Sequence, residues 1–379
     1  MSKICLSDIC EVSAGQSAPQ KKEFFSEDGY PFVRAGSLES LIVGNDKLEH
    51  IKDNIGKNLR LRLFPKNTIL FAKSGMSAKI GRVYKLLQPS YVVSHLATII
   101  PDEEKVNPDW LKRWFEFHPP SRLIPNEAYP SIKLSDILRL SLTVVPLEEQ
   151  NRISTLIGTA DSLRQKRKEQ LNLLDDYLKS VFFEMFGDPV RNEKGWNSCK
   201  VIDVCDCIVP GRDKPKSFTG SMPWVTTDDL ECLGWTLNSK KNVGLTSEEI
   251  STVRAKVIPK DSVIMTCVGD LGVVSIAKDE FVMNQQLHAF ICSERIKNIF
   301  LMFSLFFQKD YMLRMASSTT VPYMNKTICN SVPVLLPPIG LQNKFASIVE
   351  QVEQTKQKMR ASLDEMDNHF NALMQRYFG

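Results

Sequence analysis

The sequence has no long hydrophobic run and no regularly spaced set of metal ligands. Its longest apolar stretch, Ile299 to Phe307, is too short to span a bilayer, and the N-terminus has no apolar core of signal-peptide length. The nine cysteines are an odd number without CxxC spacing, which favours buried thiols in a reducing compartment. We therefore expect a cytoplasmic protein in which Cys205 and Cys207 are inward-facing thiols of a strand, in preference to a zinc site.

Catalytic motifs are missing as well. The sequence contains no GxxxxGK[ST] phosphate loop, no GxSxG elbow and no HExxH pair, and its five histidines are scattered. It also lacks the FxGxG-like loop and the NPPY-like tetrapeptide of an adenine-N6 methyltransferase. The run from Pro101 to Lys105 superficially resembles a PD…(D/E)xK nuclease motif, but its acids are contiguous and not on separate strands, so we expect a polar turn. We predict a chain that is not an enzyme and binds neither cofactor nor metal.

What the sequence does contain is a repeat. The segment that begins at Pro146 returns at Pro338, at an offset of 338 − 146 = 192 residues. Gln150 matches Gln342, and Phe186 matches Phe378 at the same offset. Upstream of Pro146 the match continues and then drifts by a few residues, as loops of unequal length would cause. The chain is therefore a duplicated protein with approximate internal two-fold symmetry, and not a solenoid of many short repeats.

The faithful part of each repeat has the pattern of a long helix. Pro146, Glu148 and Glu149 are start signals, and Gly187 is a stop signal, which predicts a helix of roughly 35 residues and about 50 Å. Apolar residues at alternating three- and four-residue spacing predict a coiled-coil seam. Its members are Ile153, Leu156, Ala160, Leu163, Leu171, Leu174, Leu178 and Val181 in the first copy, and Phe345, Ile348, Val352, Met359, Leu363, Met366, Phe370 and Leu373 in the second.

Two-fold symmetry makes the pairing of these helices antiparallel. A simple dimerisation hairpin would explain the periodicity equally well.

The variable part of each repeat has the pattern of a mixed α/β domain, an α+β fold. Short apolar runs such as 68–71 and 262–265 predict strands, and 109–117 and 298–308 have helical spacing. We place the domains at 1–145 and 188–337, and the helices at 146–187 and 338–379.

Loops of both variable domains are basic and polar, within a chain of net charge +4 and pI near 8.5. Such a charge permits nucleic-acid binding without demanding it. Lysine and arginine neutralise phosphates, whereas hydroxyl, amide and carboxylate groups read base edges. The clusters are Lys21 and Lys22, the run 73–79, then Arg212, Lys214 and Lys216, and the run 226–229. Each cluster is equally compatible with a solvated loop, as is the basic run 166–168 inside the first helix.

The order of these pieces, repeated twice, resembles the specificity subunit of type I restriction-modification enzymes. The resemblance covers essentially the whole chain. It rests on the opening 15–33 with its echo at 211–225, the glycine loop 74–81, the Pro130-Ser131-Ile132 entry to the last strand, and the PLEEQ helix start at 146–150. The second copy departs at 339–341, where the acidic pair is absent.

This resemblance implies a DNA-reading scaffold without an active site of its own. Each variable domain would be a target recognition domain for one half of a bipartite double-stranded DNA site, and the two helices would form an antiparallel coiled coil that separates the domains. Two adenine methyltransferase subunits, which bind S-adenosylmethionine and flip out the target adenine, would dock on the chain. Motor-nuclease subunits would complete a restriction enzyme with methyltransferase and endonuclease activity, used in phage defence.

The resemblance also implies DNA-contact residues. In the first half they are Arg34, Ser37, Lys73, Ser74, Met76, Ser77 and Lys79. In the second half they are Thr226, Thr227, Asp228, Cys267, Asp270, Gln285, Gln286, Tyr323, Asn325 and Lys326. Structural roles in turns are the alternative for these residues.

Two other functions fit the same pattern. One is the specificity protein of a related system that is not type I, such as a phage-defence methylation complex or a type IIB enzyme. The other is a coiled-coil interaction protein with no DNA role, which would show no salt-dependent affinity for duplex DNA.

Overall fold

The computed structural model describes residues 2–38, 48–211, 213–317 and 321–379, and the chain divides into two compact units. The first unit comprises Met1–Arg167 and Ser362–Gly379, and the second comprises Lys168–Ala361. Within the described ranges, no helix is long and apolar enough to cross a membrane.

The described residues of the first unit form three small sheets. Strands β1 and β9 form an antiparallel pair, β2, β8, β5 and β6 form a four-stranded sheet in that order, and β4, β3 and β7 form a third sheet in which β3 and β7 are parallel. The strands are β1 (Ser2–Cys5), β2 (Cys10–Ala14), β3 (Tyr30–Val33), β4 (Glu49–Ile51), β5 (Ile69–Ala72), β6 (Tyr84–Lys85), β7 (Tyr91–Val92), β8 (Leu96–Pro101) and β9 (Ser141–Val144). The helices are α1 (Asp53–Asn58), α2 (Met76–Ile80), α3 (Pro108–Phe117), α4 (Leu134–Leu138) and the start of α5 (Leu147–Phe186).

Among the described residues, the second unit repeats this plan with one extra strand in each of its two larger sheets. Its sheets have the orders β10-β20, β11-β19-β16-β17-β13 and β14-β12-β18-β15. The strands are β10 (Ser198–Lys200), β11 (Cys205–Ile208), β12 (Met222–Val225), β13 (Trp235–Thr236), β14 (Gly244–Leu245), β15 (Val257–Ile258), β16 (Val263–Thr266), β17 (Val274–Ala277), β18 (Phe281–Met283), β19 (Leu287–Cys292) and β20 (Pro333–Leu335). The helices are α6 (Ser247–Thr252), α7 (Asn298–Phe306), α8 (Lys309–Met315), α9 (Lys326–Asn330) and α10 (Ile339–Phe378).

These elements confirm the predicted fold class of mixed helix and sheet. The two apolar runs expected to be strands are β5 and β16, and the two segments with helical spacing contain α3 and α7. Residues 205–207 lie in strand β11, and the side chain of Cys205 is buried there.

Each long helix is 40 residues long, about 60 Å at 1.5 Å per residue, and so exceeds the predicted length. Gly187 has φ +76 and closes the first helix in a conformation that favours glycine. Within the first unit, Arg152 bonds to the Tyr377 hydroxyl at 3.3 Å and Arg164 bonds to Asp367 at 2.5 Å, so partner numbers fall as the helix advances. Within the second unit, Asp175 pairs with Lys356, and Phe182 packs against Phe345. The helices are therefore antiparallel in both units.

The seam differs from the prediction at two positions. Leu156 and Leu163 are 38% and 51% exposed, whereas Ile157 is fully buried and Arg164 is mostly covered. Next to Leu163 the inward residue is the charged Arg164, so a search for apolar residues alone selects Leu163; next to Leu156 the inward residue is the apolar Ile157, which the spacing rule passes over by one position. The remaining predicted members are buried or half-buried, and in the second helix none of the predicted members is exposed.

A buried glutamine fixes the start of each long helix to its own unit. Gln150 Oε1 accepts from Asn107 N at 2.8 Å, and its Nε2 donates to Val145 O at 2.8 Å and Lys105 O at 3.3 Å. Gln342 repeats the set with Lys297 N at 2.8 Å, Pro337 O at 2.9 Å and Arg295 O at 3.3 Å. Both side chains are fully buried, and in each the amide oxygen accepts one backbone hydrogen bond while the amide nitrogen donates two. This explains why Gln150 and Gln342 are matched in the repeat.

Candidate nucleic-acid interface

Three loops of the first unit meet at one edge of the sheet that contains β5 and β8. Ala72 is paired with Leu96 where β5 ends and β8 begins, and the next backbone bond joins Lys73 N to His95 O at 3.0 Å. Gly75 N donates to Pro130 O at 3.0 Å, which ties in the segment before the last strand. The predicted glycine loop, His95 and the Pro130 segment therefore form a single junction, which we call the first loop junction (residues 73–79, 94–95 and 129–132).

Gly75 is required in this junction because of its backbone conformation. Its φ is +76, and a Cβ there would meet no atom within 4 Å, so the constraint is torsional and not steric. After Gly75 the chain enters the short helix α2, which places Met76 and Ser77 at the surface; Met76 is 70% exposed. Lys73, Ser74 and Lys79 are half-buried, and Ser74 Oγ lies 3.2 Å from His95 Nδ1.

Arg34 and Ser37 follow strand β3, whose parallel neighbour β7 leads to His95. Arg34 already has protein partners: its Nε lies 2.7 Å from Glu49 Oε2, and its guanidinium lies over the Phe25 ring. The hydroxyl of Ser37 donates to Arg34 O at 3.1 Å and closes the turn. Lys21 and Lys22 are exposed, with Lys21 3.3 Å from Glu23. Arg34 and Ser37 are connected to the first loop junction through the pairing of β3 with β7, and the Ser37 hydroxyl serves the turn after β3.

The second unit builds the same junction from different residues. Cys267 N donates to Gln286 O at 2.8 Å, Met324 N to Cys267 O at 2.9 Å, and Gly269 N to Pro322 O at 3.0 Å. The φ of Gly269 is +80, matching that of Gly75. We call residues 267–270, 285–286 and 321–324 the second loop junction.

The predicted residues of the second half have unequal access at this junction. Gln286, Tyr323, Asn325 and Lys326 are exposed, and Asn325 Oδ1 also caps helix α9 by accepting from Ile328 N at 2.9 Å. Cys267 is buried in the hydrophobic core, so its side chain does not reach the surface. The hydrogen bond between the Cys267 and Cys329 thiols, together with burial, raises the pKa of Cys329, and the same hydrogen bond lowers the pKa of Cys267.

Other predicted residues of the second half serve the structure of the loops. Thr226 donates from both N and Oγ1 to Asp229 Oδ2, at 2.7 and 2.8 Å. Asp270 is 2.7 Å from Lys309. Gln285 Nε2 donates to Gly211 O and Asp213 O, both at 3.1 Å, and so links the basic loop of 213–216 to the junction. Asp228, Lys214 and Lys216 are exposed and Thr227 is half-buried, whereas Arg212 lies outside the described residues.

Sequence reasoning missed one prominent side chain. Tyr129 is 82% exposed and directly precedes Pro130, whose carbonyl accepts from Gly75. An aromatic residue next to the Pro130-Ser131-Ile132 segment was the available signal. Exposed aromatic rings of this kind stack on bases or contact groove edges.

The arrangement offers no metal chemistry in the part of the chain that the structure describes, where no three His, Cys, Asp or Glu side chains converge as a metal site would need. It presents loops with hydroxyl, amide, phenol and ammonium groups on a rigid sheet edge. Such a surface suits binding to a polyanion with groove contacts.

Comparison with known proteins gives matches along the whole chain. A model of the type I restriction modification DNA specificity domain family matches residues 1–173 and 193–365. The type I restriction enzyme MjaIX specificity subunit of Methanocaldococcus jannaschii is 24% identical over 377 residues, which cover 91% of this chain and 85% of the relative. The putative type I restriction enzyme MjaX specificity subunit of the same organism is 21% identical over 388 residues, which cover 97% of this chain and 90% of the relative.

Solved structures share the fold. The type-I restriction-modification system S subunit from M. genitalium has a TM-score of 0.60 at 14% identity, covering all of this chain and 96% of its own. A second solved chain comes from a structure that concerns complex assembly and conformational transition of the type I R-M system. It has a TM-score of 0.59 at 17% identity, and the match covers 100% of this chain and 97% of that chain.

Proposed function

This chain belongs to the type I restriction modification DNA specificity family, whose general role is DNA recognition, and from that premise we propose that its two units each read one half of a bipartite DNA site. Specificity subunits are generally non-catalytic. The substrate is double-stranded DNA, and chemistry on it belongs to partner subunits.

The observation that carries the proposal is the duplicated loop junction. Gly75 and Gly269 have nearly the same positive φ, and each donates its N–H to the carbonyl of a proline, Pro130 or Pro322, at 3.0 Å. The frame is thus the same in both units, while the exposed side chains on it differ. A common frame with different side chains is the arrangement expected when two readers recognise different base sequences.

The exposed residues, together with the half-buried Lys79, fall into two proposed roles. Lys79, Lys214, Lys216 and Lys326 contribute sequence-independent affinity by neutralising phosphates. Met76, Ser77, Tyr129, Gln286 and Tyr323 face outward from the junctions and contact base edges. A glutamine such as Gln286 suits bidentate hydrogen bonding to adenine, and Met76 and Tyr129 suit apolar contact with a thymine methyl group.

We further propose that the chain is the scaffold of a larger enzyme. Two adenine methyltransferase subunits bind it through the long helices, and motor-nuclease subunits join to give the restriction enzyme. The support is family membership together with the outward-facing apolar side chains Leu156, Leu163, Leu173 and Tyr177, which lie on the long helix α5. Exposed apolar groups on a rigid helix are typical of protein interfaces.

One experiment tests recognition and scaffolding together. The chain is expressed with an adenine methyltransferase subunit in a host without other methylation, and methylated adenines are mapped across the genome. We expect one bipartite motif, with no methylation when either subunit is omitted. Methylation by the methyltransferase at the same sites without this chain would contradict the proposal, as would duplex DNA affinity that does not depend on salt.

A further inference from the structure

Two arginines occupy a backbone conformation that is unusual for their residue type. Arg60 has φ +53 and Arg254 has φ +50, in the left-handed region that favours glycine. Asn67 and Asp261, at φ +70 and +66, are of types that tolerate this region because their short polar side chains bond locally. An arginine has no such compensation, so each of these two arginines is held in a strained backbone.

The internal repeat relates the two arginines. Helices α1 and α6 begin 247 − 53 = 194 residues apart, the same offset as 254 − 60 = 194. Both helices end in the Schellman motif, whose left-handed position is usually a glycine. Its bonds are Arg60 N to Lys57 O at 3.0 Å, Leu61 N to Gly56 O at 2.9 Å, Arg254 N to Ser251 O at 3.1 Å and Ala255 N to Ile250 O at 3.0 Å. Both copies therefore have arginine where glycine would be less strained.

The end of the helix does not by itself account for arginine at this position. A cation near a helix C-terminus complements the helix dipole, but any residue of the last turn can supply that charge, and Lys57 does so in α1. Both arginine side chains are exposed, and among the described residues neither guanidinium has an ion-pair or hydrogen-bond partner. By contrast, Arg62 in the same turn pairs with Glu11 at 2.6 Å. The two guanidinium groups are therefore available to an external anion.

In the first unit the arginine turn is attached to the first loop junction through Gln16. Gln16 Nε2 donates to Arg60 O at 3.2 Å, and Gln16 Oε1 accepts from Arg62 N. Gln16 O accepts from Ser94 N at 2.8 Å, and Ser94 belongs to the first loop junction. Both the side chain and the backbone of Gln16 thus fix the Arg60 turn beside this junction.

In the second unit Gly211 lies between the arginine turn and the second loop junction. A Cβ on Gly211 would be 3.3 Å from Arg254 O, so the two backbone segments are in close contact. Gly211 O accepts from Gln285 Nε2 at 3.1 Å, and Gln285 belongs to the second loop junction. In each unit a single residue therefore connects an exposed, strained arginine to the loops that are proposed to read DNA.

We propose that Arg60 and Arg254 are a duplicated pair of phosphate contacts, one in each unit, which hold the DNA backbone beside the loop junctions. The inference rests on the proposed function, since it names further contacts to the same DNA. A guanidinium donates two parallel hydrogen bonds to a phosphate and so fixes the register of the duplex. Because phosphates are the same in every sequence, both units can use the same residue type here, whereas the exposed side chains of the junctions differ.

Glycine substitutions separate the backbone role from the guanidinium. Arg60→Gly and Arg254→Gly, in the full chain, are compared for binding to a mixed-sequence duplex across a salt series, because phosphate contacts supply sequence-independent affinity. Each variant should bind roughly tenfold more weakly at about 0.1 M salt. The slope of log affinity against log salt should fall by about one, and by about two in the double variant. The thermal unfolding midpoint should rise at the same time, since glycine adopts the left-handed region without strain.

Matched variants serve as controls for charge and for backbone. Arg60→Lys and Arg254→Lys keep the positive charge at the same position and should keep the salt slope. Asn67→Gly places a glycine at positive φ without removing a cation, and Lys358→Ala removes a cation from an exposed position of helix α10. Both of these should leave DNA affinity and its salt slope unchanged.

The inference is overturned if the glycine variants keep the affinity and the salt slope of an unchanged chain that does bind duplex DNA in a salt-dependent way. An equal loss in Lys358→Ala would also overturn it, because a general loss of charge would then explain the effect. If the unchanged chain has no salt-dependent affinity for duplex DNA, the proposed function fails and this inference fails with it. The unchanged chain therefore distinguishes the two failures.

Discussion

Arg164 Nε donates to Asp367 Oδ1 at 2.5 Å between the two long helices of the first unit. In the second unit Lys356 Nζ lies 2.6 Å from Asp175 Oδ1. The repeat relates the two pairs, because 164 + 192 = 356 and 175 + 192 = 367. An acid one turn earlier, Asp161 or Glu353, completes each cluster. The duplication therefore preserves a charged layer in the helix pairing, where a coiled-coil pattern would place apolar residues.

Charge reversal tests this antiparallel pairing. Arg164→Asp places three carboxylates together with Asp161 and Asp367, and should destabilise the helix pair of the first unit by roughly 2–4 kcal/mol. Adding Asp367→Arg should restore at least 1 kcal/mol of coupling in a double-mutant cycle, about the size expected of a partly buried pair. Hydrogen exchange of peptides from 147–167 and 362–378 measures both. No recovery in the double variant would show that the two residues do not pair.

The Lys356 side chain is more deeply buried than that of Arg164, so removing it should lower the stability of the folded chain by more. Lys356→Ala leaves the mostly buried Glu353 carboxylate beside Asp175 with only the longer contact to Arg360, at 3.9 Å. We expect a loss of about 3–5 kcal/mol for removing one partner of a buried ion pair. Lys358→Ala, at an exposed position of the same helix, is the control and should change stability by less than about 0.5 kcal/mol. Equal effects of the two substitutions would contradict the assignment.

The buried glutamines give a second stability prediction. Gln150→Ala and Gln342→Ala each remove three hydrogen bonds and leave backbone groups unsatisfied, which should cost roughly 2–4 kcal/mol. Gln165 and Gln357 occupy matched, exposed positions on the same helices, and their alanine variants should be within about 0.5 kcal/mol of the unchanged chain. Denaturant unfolding compares the four variants. A similar loss at Gln165 would show that the buried bonds are not the cause, because alanine is a better helix former than glutamine.

Glycine substitutions should act with opposite signs at two kinds of position. Gly75→Ala and Gly269→Ala force a side chain into positive φ and should cost about 1–2 kcal/mol and loosen the loop junctions. Gly158 lies inside helix α5 with open space around it, so Gly158→Ala should stabilise by roughly 0.5–1 kcal/mol. The shift of the thermal unfolding midpoint gives the sign of the stability change for each variant. Stabilisation by Gly75→Ala would mean that its backbone is free to leave the left-handed region.

The fold was largely predictable because its signals are local or repeated. Helix starts at Pro146 and Pro338, the strand runs and the offset of 192 needed only the sequence. Leu163 was predicted for the seam because the inward Arg164 carries no hydrophobic signal, and Leu156 was predicted because the spacing alone does not distinguish it from the buried Ile157. Burial of Cys267 was also hidden, since its neighbours Met324 and Cys329 are more than 50 residues away in sequence. Which loop residues contact bases stays a prediction.

The central claim, that each unit reads its own half-site, is tested most directly by methylation mapping of paired variants. The chain is expressed with its methyltransferase partner as Met76→Ala/Ser77→Ala, as Gln286→Ala, and unchanged. We predict that the first variant relaxes base preference in one half of the motif and Gln286→Ala relaxes it in the other half only, by roughly 1–3 kcal/mol at each affected base pair. Relaxation of both halves by either variant would contradict the account.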